Sequence, residues 1–127
     1  MKVLTIEQMN KLKELGVDVS PKELCLVYSR GGWREYRLKY QKLYYSDDIK
    51  AFTLQDVIEL LPNTLPHQFL LPTLRITKNS VDYVDYSFFA EVFIEHSEYD
   101  GKDTILHAAY NTLIWVIENG YPTQTKK

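Results

Sequence analysis

The chain has 127 residues, 45% of them hydrophobic and 25% charged, which is enough sequence for one globular domain with its own core. This composition excludes a disordered chain, a collagen-like fibre and a coiled-coil rod, and the formal net charge of −2 excludes a basic field over the whole molecule. The one cysteine, Cys25, excludes an intramolecular disulfide and a zinc site built from cysteines.

The beginning of the chain bears on its location. Residues 1–5 run directly into a charged, amphipathic segment, without the apolar run and the cleavage site of a signal peptide. No apolar run in the sequence is long enough for a transmembrane helix. We therefore expect a cytoplasmic protein with no membrane partner.

A capping-box pattern marks the first helix. Thr5 is followed three residues later by Gln8, and apolar residues then recur at roughly helical spacing as far as Gly16, which tolerates the left-handed conformation that ends many helices. The pattern predicts a helix over about 5–15.

A hairpin and a second, short helix are predicted next. Residues 23–29 and 33–38 are rich in β-formers, and Gly31-Gly32 between them is typical of a tight turn. Residues 54–61 carry an apolar stripe at positions i, i+3, i+4 and i+7, with Thr53 as the capping residue before it.

The second half of the chain predicts three strands and a last helix. Strands over 74–77 and 81–86 flank a short turn, and a longer strand covers 88–96. A helix over about 104–119 carries a wide apolar stripe, and Gly120 ends it.

Together these elements predict an α+β fold. It has a mainly antiparallel sheet of about five strands and three helices, in the order α-ββ-α-βββ-α. We expect one domain over 1–122 and a polar tail over 123–127.

No pattern in the sequence predicts catalysis. Four residues of metal-ligating type near the end of the chain, His96, Asp100, Asp103 and His107, have a spacing that matches no known metal motif. A surface loop with a helix cap explains them better. Cys25 lies in an apolar strand, where a buried, inert thiol is the usual outcome. We therefore predict no catalytic residue, no metal, no cofactor and no enzymatic activity.

The segment 30–45 combines positive charge with aromatic rings. It has five basic residues against one acid, Glu35, and five aromatic residues lie among them. We take the basic and aromatic residues of this segment as the candidate binding surface: Arg30, Trp33, Arg34, Tyr36, Arg37, Lys39, Tyr40, Lys42, Tyr44 and Tyr45.

Two functions fit such a surface. Cations beside rings are what single-stranded nucleic acid requires, provided that Arg34, Arg37, Lys39 and Lys42 share an exposed face with the rings. A plain amphipathic strand has the same alternation, and Tyr, Trp and Arg are also the usual anchors of protein interfaces. The acidic segment 82–103 either neutralises this basic segment or attracts a partner or a second copy of the chain.

Three parts of the chain resemble small uncharacterised proteins encoded in phage and mobile-element regions of gut anaerobic bacteria. The residues that carry the resemblance are 4–9 (LTIEQM) with 13–18 (KELGVD), 52–62 (FTLQDVIELLP), and 108–110 (AAY) with 115–121 (WVIENGY). The end of the chain is also similar to small phage-borne α/β sandwich domains. The resemblance implies an intracellular accessory protein and brings no known activity, cofactor or site residue.

The sequence as a whole predicts a small, non-catalytic binding module. A protein partner or self-association is the leading hypothesis, and binding of single-stranded nucleic acid through 30–45 is the alternative.

Overall fold

The structure, a computed structural model, describes residues 2–29, 35–65, 72–77, 80–85, 92–98 and 105–123. For residue 85 and for 92–98 it describes the backbone alone. Within these ranges the chain forms three α-helices and six β-strands. Their bounds are α1 Ile6–Glu14, β1 Cys25–Tyr28, β2 Tyr36–Lys39, β3 Ile49–Lys50, α2 Leu54–Leu60, β4 Thr73–Ile76, β5 Ser80–Asp85, β6 Val92–Glu98 and α3 Ile105–Glu118.

The predicted α+β class is confirmed, and the element order matches apart from β3. This strand has only two residues, too few to show a periodic pattern, and it forms because it pairs with β1. The described strands lie in two antiparallel sheets of three, not in one sheet of about five. Sequence periodicity predicts a strand but does not reveal which hairpins share a sheet.

The chain divides into two compact units, residues 1–53 and 54–127. The first unit contains α1 and the sheet of β1, β2 and β3. The second contains α2, α3 and the sheet of β4, β5 and β6. The single domain over 1–122 stays a prediction, and most of the predicted tail, residues 124–127, lies outside the described residues.

The first unit begins with the predicted capping box. The Gln8 backbone N–H donates to Thr5 Oγ1 at 3.2 Å, and the Thr5 N–H donates to Gln8 Oε1 at 2.9 Å, so two N–H groups at the helix start have partners. Gly16 follows α1 with a φ of +92°, which favours glycine. Met9 and Leu12 are the buried residues of the helix.

The sheet of the first unit has the strand order β2-β1-β3, which places β2 at an edge. Its core side chains include Val27 and Tyr28 of β1 and Ile49 of β3. The Tyr28 hydroxyl donates to the Leu4 carbonyl at 2.8 Å, which ties β1 to the segment before α1. The burial of Val27 and Tyr28, neighbours that point to opposite faces, means that both faces of β1 are covered at this end.

The sheet of the second unit has the order β4-β5-β6, with an irregularity in the β5–β6 register between Tyr83 and Val84. β5 is buried along its described side chains, and the Tyr83 hydroxyl donates to the Pro62 carbonyl at 2.8 Å. In α3, Thr112 is buried and its hydroxyl donates to the Ala108 carbonyl at 2.9 Å.

An ion pair with a buried carboxylate lies across β4 and β5. Arg75 and Asp82 are directly opposite in the register. Arg75 Nε donates to Asp82 Oδ1 at 3.0 Å and its Nη2 to Oδ2 at 2.9 Å, and the Asp82 side chain is fully buried. This two-pronged geometry is the strongest form of a charged hydrogen bond between side chains.

The predicted helices agree with the structure to within about one residue at each end. The strand predicted over 88–96 is observed from Val92 and continues to Glu98, while its first part lies in 86–91, outside the described residues. The turn predicted at Gly31-Gly32 also lies outside them, although β1 and β2 pair as a hairpin would require.

Candidate binding surface

Seven of the ten candidate residues lie in the described part of the chain, on β2 and the segment that follows it. They are Tyr36, Arg37, Lys39, Tyr40, Lys42, Tyr44 and Tyr45. The other three, Arg30, Trp33 and Arg34, lie in 30–34, outside the described residues.

The register of β1 and β2 decides which side chains share a face. Residues directly opposite in an antiparallel pair point to the same side of the sheet, and neighbours along a strand point to opposite sides. Tyr36 pairs with Tyr28 and Leu38 with Leu26, so Tyr36 and Leu38 share one face. The rings of Tyr28 and Tyr36 meet edge to face, with centroids 6.1 Å apart.

Tyr36, Leu38 and Tyr40 form the apolar row. Tyr40 directly follows β2 and keeps an extended backbone, with φ −80° and ψ 148°, so the alternation of the strand reaches it. Leu38 is 63% exposed, Tyr40 61% and Tyr36 36%. The row is therefore an apolar surface on an edge strand, which in a soluble protein is typical of an interaction site.

The large exposed apolar side chains are concentrated in the same part of the chain as this row. Among the described residues there are seven, and six of them lie between residues 24 and 45. Besides the apolar row these are Leu24, Leu43 and Tyr45, and the seventh is Ile76 at the end of β4.

The cations of β2 lie on its other face. Arg37 pairs with Val27 and Lys39 with Cys25 in the register, opposite in orientation to the apolar row. The condition for nucleic-acid binding was a face shared by cations and rings. Along β2 the strand separates Arg37 and Lys39 from the apolar row.

Lys39 is held by a buried carboxylate. Its Nζ lies 3.4 Å from Asp48 Oδ2, with the lysine side chain 17% exposed and the aspartate side chain fully buried. The Ser29 hydroxyl donates to Asp48 Oδ1 at 2.9 Å, and the Tyr45 N–H donates to Oδ2 at 2.9 Å. Lys39 Nζ also donates to Ser29 Oγ at 2.7 Å and lies 4.5 Å from the centre of the Tyr45 ring. Lys39 is therefore part of the internal structure of the unit rather than a cation offered to a phosphate.

Tyr44 is likewise turned inwards. Its hydroxyl lies 3.1 Å from Cys25 Sγ and 3.4 Å from the Lys39 carbonyl. Desolvation, together with the hydrogen bond to Cys25, raises the pKa of Tyr44 to about 12. The phenol acts as a structural link between β1 and the segment after β2.

The exposed cations of the described surface are Arg37 and Lys42. Neither forms an ion pair with a residue that the structure describes. Lys39, in contrast, is paired with Asp48. Arg37 and Lys42 are therefore the described basic residues of the segment 30–45 that remain available to a partner.

Sequence reasoning missed the leucines of this surface, Leu24, Leu38 and Leu43. The alternation of Tyr36, Leu38 and Tyr40 with Arg37 and Lys39 was readable in the sequence, and in an edge strand it separates an apolar row from a basic one. The sequence did not show that β2 lies at the edge of its sheet, because only the pairing of the strands reveals that position.

The other residues considered in the sequence do not form a site in the described part of the chain. No group of three or more His, Cys, Asp or Glu side chains comes close enough there to hold a metal ion. Asp100 and Asp103 lie outside the described residues, and so does the side chain of His96, whereas His107 is exposed on α3. Of the acidic segment 82–103, Asp82 is buried against Arg75 and does not form an acidic surface.

No protein-family model matches the chain, and neither a curated protein nor a solved structure was found to be similar to it. None of the described helices is long and apolar enough to cross a membrane.

Proposed function

We propose that the chain is a small, non-catalytic binding module that holds another protein on the apolar row of β2. The observation that carries the proposal is the exposure of Leu38 on the edge strand of the first sheet and of Tyr40 directly after it. When a partner covers such side chains, the burial of apolar area stabilises the complex by about 25 cal/mol per Å².

A protein partner is favoured over single-stranded nucleic acid by the distribution of charge. Stacking of bases requires rings with cations beside them for the phosphates. On β2 the rings of the apolar row and the guanidinium of Arg37 point to opposite sides, and Lys39 is already paired with Asp48. Within β2 both cations lie on the face opposite the apolar row, and apolar and aromatic side chains grouped in this way are typical of the centre of a protein interface.

The setting of this function is part of the proposal. We infer an intracellular protein of the cytoplasm, because a lone cysteine suits a reducing compartment. The resemblance to proteins of phage and mobile-element regions supports an accessory role that acts by binding a macromolecule of the host or the phage.

A random-peptide library displayed on phage tests the proposal directly. The full chain is immobilised, and enriched clones are compared on three proteins: the unaltered chain, Leu38→Thr with Tyr40→Thr, and Ile76→Thr. Threonine keeps the β-propensity of the strand and removes the apolar surface. Ile76 is a matched control because it is also an exposed apolar residue on an edge strand, in the other sheet.

We expect clones that bind the unaltered chain and the Ile76→Thr variant equally, and bind the double variant at least about ten-fold more weakly. Circular dichroism of each variant verifies that it is folded. Absence of any enriched clone, or clones that bind the double variant as well as the unaltered chain, would refute the proposal.

A further inference from the structure

The backbone of β2 offers a second means of binding, besides its side chains. In the order β2-β1-β3, β2 pairs with β1 on one side only among the described strands. Along such an edge, alternate residues direct their N–H and C=O groups away from the sheet, where an extended chain can pair with them. Addition of a strand is a common way for a domain to hold an extended peptide.

The charges along β2 indicate the chemistry of the added strand. Arg37 is exposed on the face opposite the apolar row, and it has no ion-pair partner among the described residues. The segment 30–45 as a whole has five basic residues against one acidic residue. A strand added next to β2 has its own side chains alternating between these two faces. Apolar side chains fit beside the apolar row, and an acidic side chain fits beside Arg37.

A second copy of this chain fits the edge poorly in two registers of antiparallel pairing. Antiparallel pairing of two β2 strands centred on Leu38 places Arg37 of each copy opposite Lys39 of the other, by the alternation of the strand. Pairing centred on Arg37 places the two Arg37 side chains against each other. Like charges directly opposite across two strands are destabilising, which disfavours the register centred on Arg37 most, because Lys39 is already paired with Asp48. Pairing centred on Tyr36 places Arg37 opposite Glu35 of the other copy, so an acidic side chain beside Arg37 is the favourable arrangement there as well. Sedimentation distinguishes such self-association from binding of another protein.

We propose that β2 accepts, as an added strand, an extended segment of another protein in which apolar residues alternate with acidic ones. The apolar residues lie on the face of Tyr36, Leu38 and Tyr40, and the acidic ones lie on the face of Arg37. This inference rests on the proposed function and narrows it to one class of partner.

Four synthetic peptides of about nine residues, a typical strand length, test the inference on the full chain. The first alternates valine with glutamate, and the second has the same composition with the glutamates grouped at one end. The third alternates valine with lysine. The fourth is the first with N-methyl groups on alternate backbone amides, which removes the donors along one edge. Affinities are measured by fluorescence anisotropy at low and at physiological salt.

We expect the alternating valine–glutamate peptide to bind at least about ten-fold more tightly than each of the other three. In the Arg37→Glu variant the preference should reverse, so that the valine–lysine peptide binds more tightly than the valine–glutamate one. Amide chemical shifts of Arg37 and Leu38 should change on binding, because the added strand pairs with the backbone of β2. Circular dichroism shows whether the Arg37→Glu variant keeps its thermal unfolding transition. If the variant does not fold, Arg37→Gln is used in its place. In Arg37→Gln the valine–glutamate and valine–lysine peptides should bind equally.

Equal affinity for the alternating and the grouped peptide, or for the N-methylated and the unmodified one, would overturn the inference. Displayed clones that depend on Leu38 and Tyr40, together with no binding of the valine–glutamate peptide, would leave the proposed function standing and refute strand addition. Concentration-dependent dimerisation in sedimentation that Leu38→Thr abolishes would also refute it, since a second copy would then cover the edge.

Discussion

Asp48 shows how a single buried carboxylate organises the segment around the candidate surface. It accepts hydrogen bonds from the Ser29 hydroxyl and the Tyr45 N–H, and it pairs with Lys39. A buried charge is stable only when such partners replace its water shell. The network therefore fixes Lys39 and Tyr45, two of the residues that the sequence had suggested for binding.

We expect Asp48→Ala to lower the free energy of unfolding by about 3 kcal/mol, because it removes the charged partner of several donors in a buried site. Asp18→Ala is the control, since its ion pair with Lys22 is well exposed and such pairs contribute about 1 kcal/mol or less. Urea unfolding followed by circular dichroism measures both. Similar losses in the two variants would mean that the Asp48 network contributes no more than a surface pair.

The tyrosines predict a loss of stability in alkaline solution. Burial raises the pKa of Tyr83 and Tyr28 above the ordinary value, and burial together with Cys25 raises that of Tyr44 to about 12. A raised pKa favours the protonated phenol in the folded chain. Its contribution is therefore complete below a pH of about 10, where the unfolded chain is still protonated, and is lost as the pH rises through the folded-state value.

Urea unfolding at a series of pH values from about 9 to about 12 measures this loss, and ultraviolet absorbance follows the ionisation of the phenols. Tyr44→Phe should make the decline in the free energy of unfolding shallower. Tyr40→Phe, at an exposed position, is the matched control. A free energy of unfolding that does not fall across this range would contradict the burial of these phenols.

At the scale of the element, β1 and β2 have opposite roles. Val27 on β1 is 1% exposed, whereas Leu38 on β2 is 63% exposed, although the two strands are paired. The central strand is covered because it has a neighbour on each side and core residues against it. The edge strand has apolar side chains that the described core does not use.

We therefore expect Val27→Ala to lower the free energy of unfolding by about 2 kcal/mol, and Leu38→Thr to change it by less than about 0.5 kcal/mol. Urea unfolding of the two variants under the same conditions measures the difference. A large loss in Leu38→Thr would show that this side chain belongs to the core and would weaken its assignment to a binding surface.

The elements also differ in how well the sequence predicted them. α1 was predicted closely because its capping box and its final glycine are signals between residues close together in the chain. β3 was missed because two residues carry no periodicity, and it exists only through pairing with Val27 and Tyr28. The candidate segment 30–45 was selected by its charge and its rings, but the exposure of its leucines and the inward position of Lys39 were not predicted.

At the scale of the whole molecule, the net charge bears on the alternative function. The chain has 15 basic and 17 acidic residues, so no general attraction to a polyanion is expected. Fluorescence anisotropy with labelled single-stranded DNA, RNA and duplex DNA should detect no binding at physiological salt. Affinity that depends on phosphate contacts falls steeply as the salt concentration rises. The measurement is therefore repeated at low salt, where such binding is strongest.

Binding that weakens steeply with salt and disappears in Arg37→Ala with Lys42→Ala would contradict this expectation and support the nucleic-acid hypothesis. These two residues are the exposed cations of the described segment. Lys39→Ala is not a suitable variant, because it also leaves the buried Asp48 carboxylate without its cation.

The sequence by itself determined the α+β class, the three helices with their ends, and the segment in which charge and rings combine. These depend on caps, turns and periodicities, which act between residues a few positions apart. Only the tertiary structure decided that the described strands form two sheets, that β2 lies at an edge, and that Lys39 forms an ion pair with Asp48. Strand pairing and burial join residues distant in the chain, so a local pattern can predict the strand but not its neighbours or its exposed face.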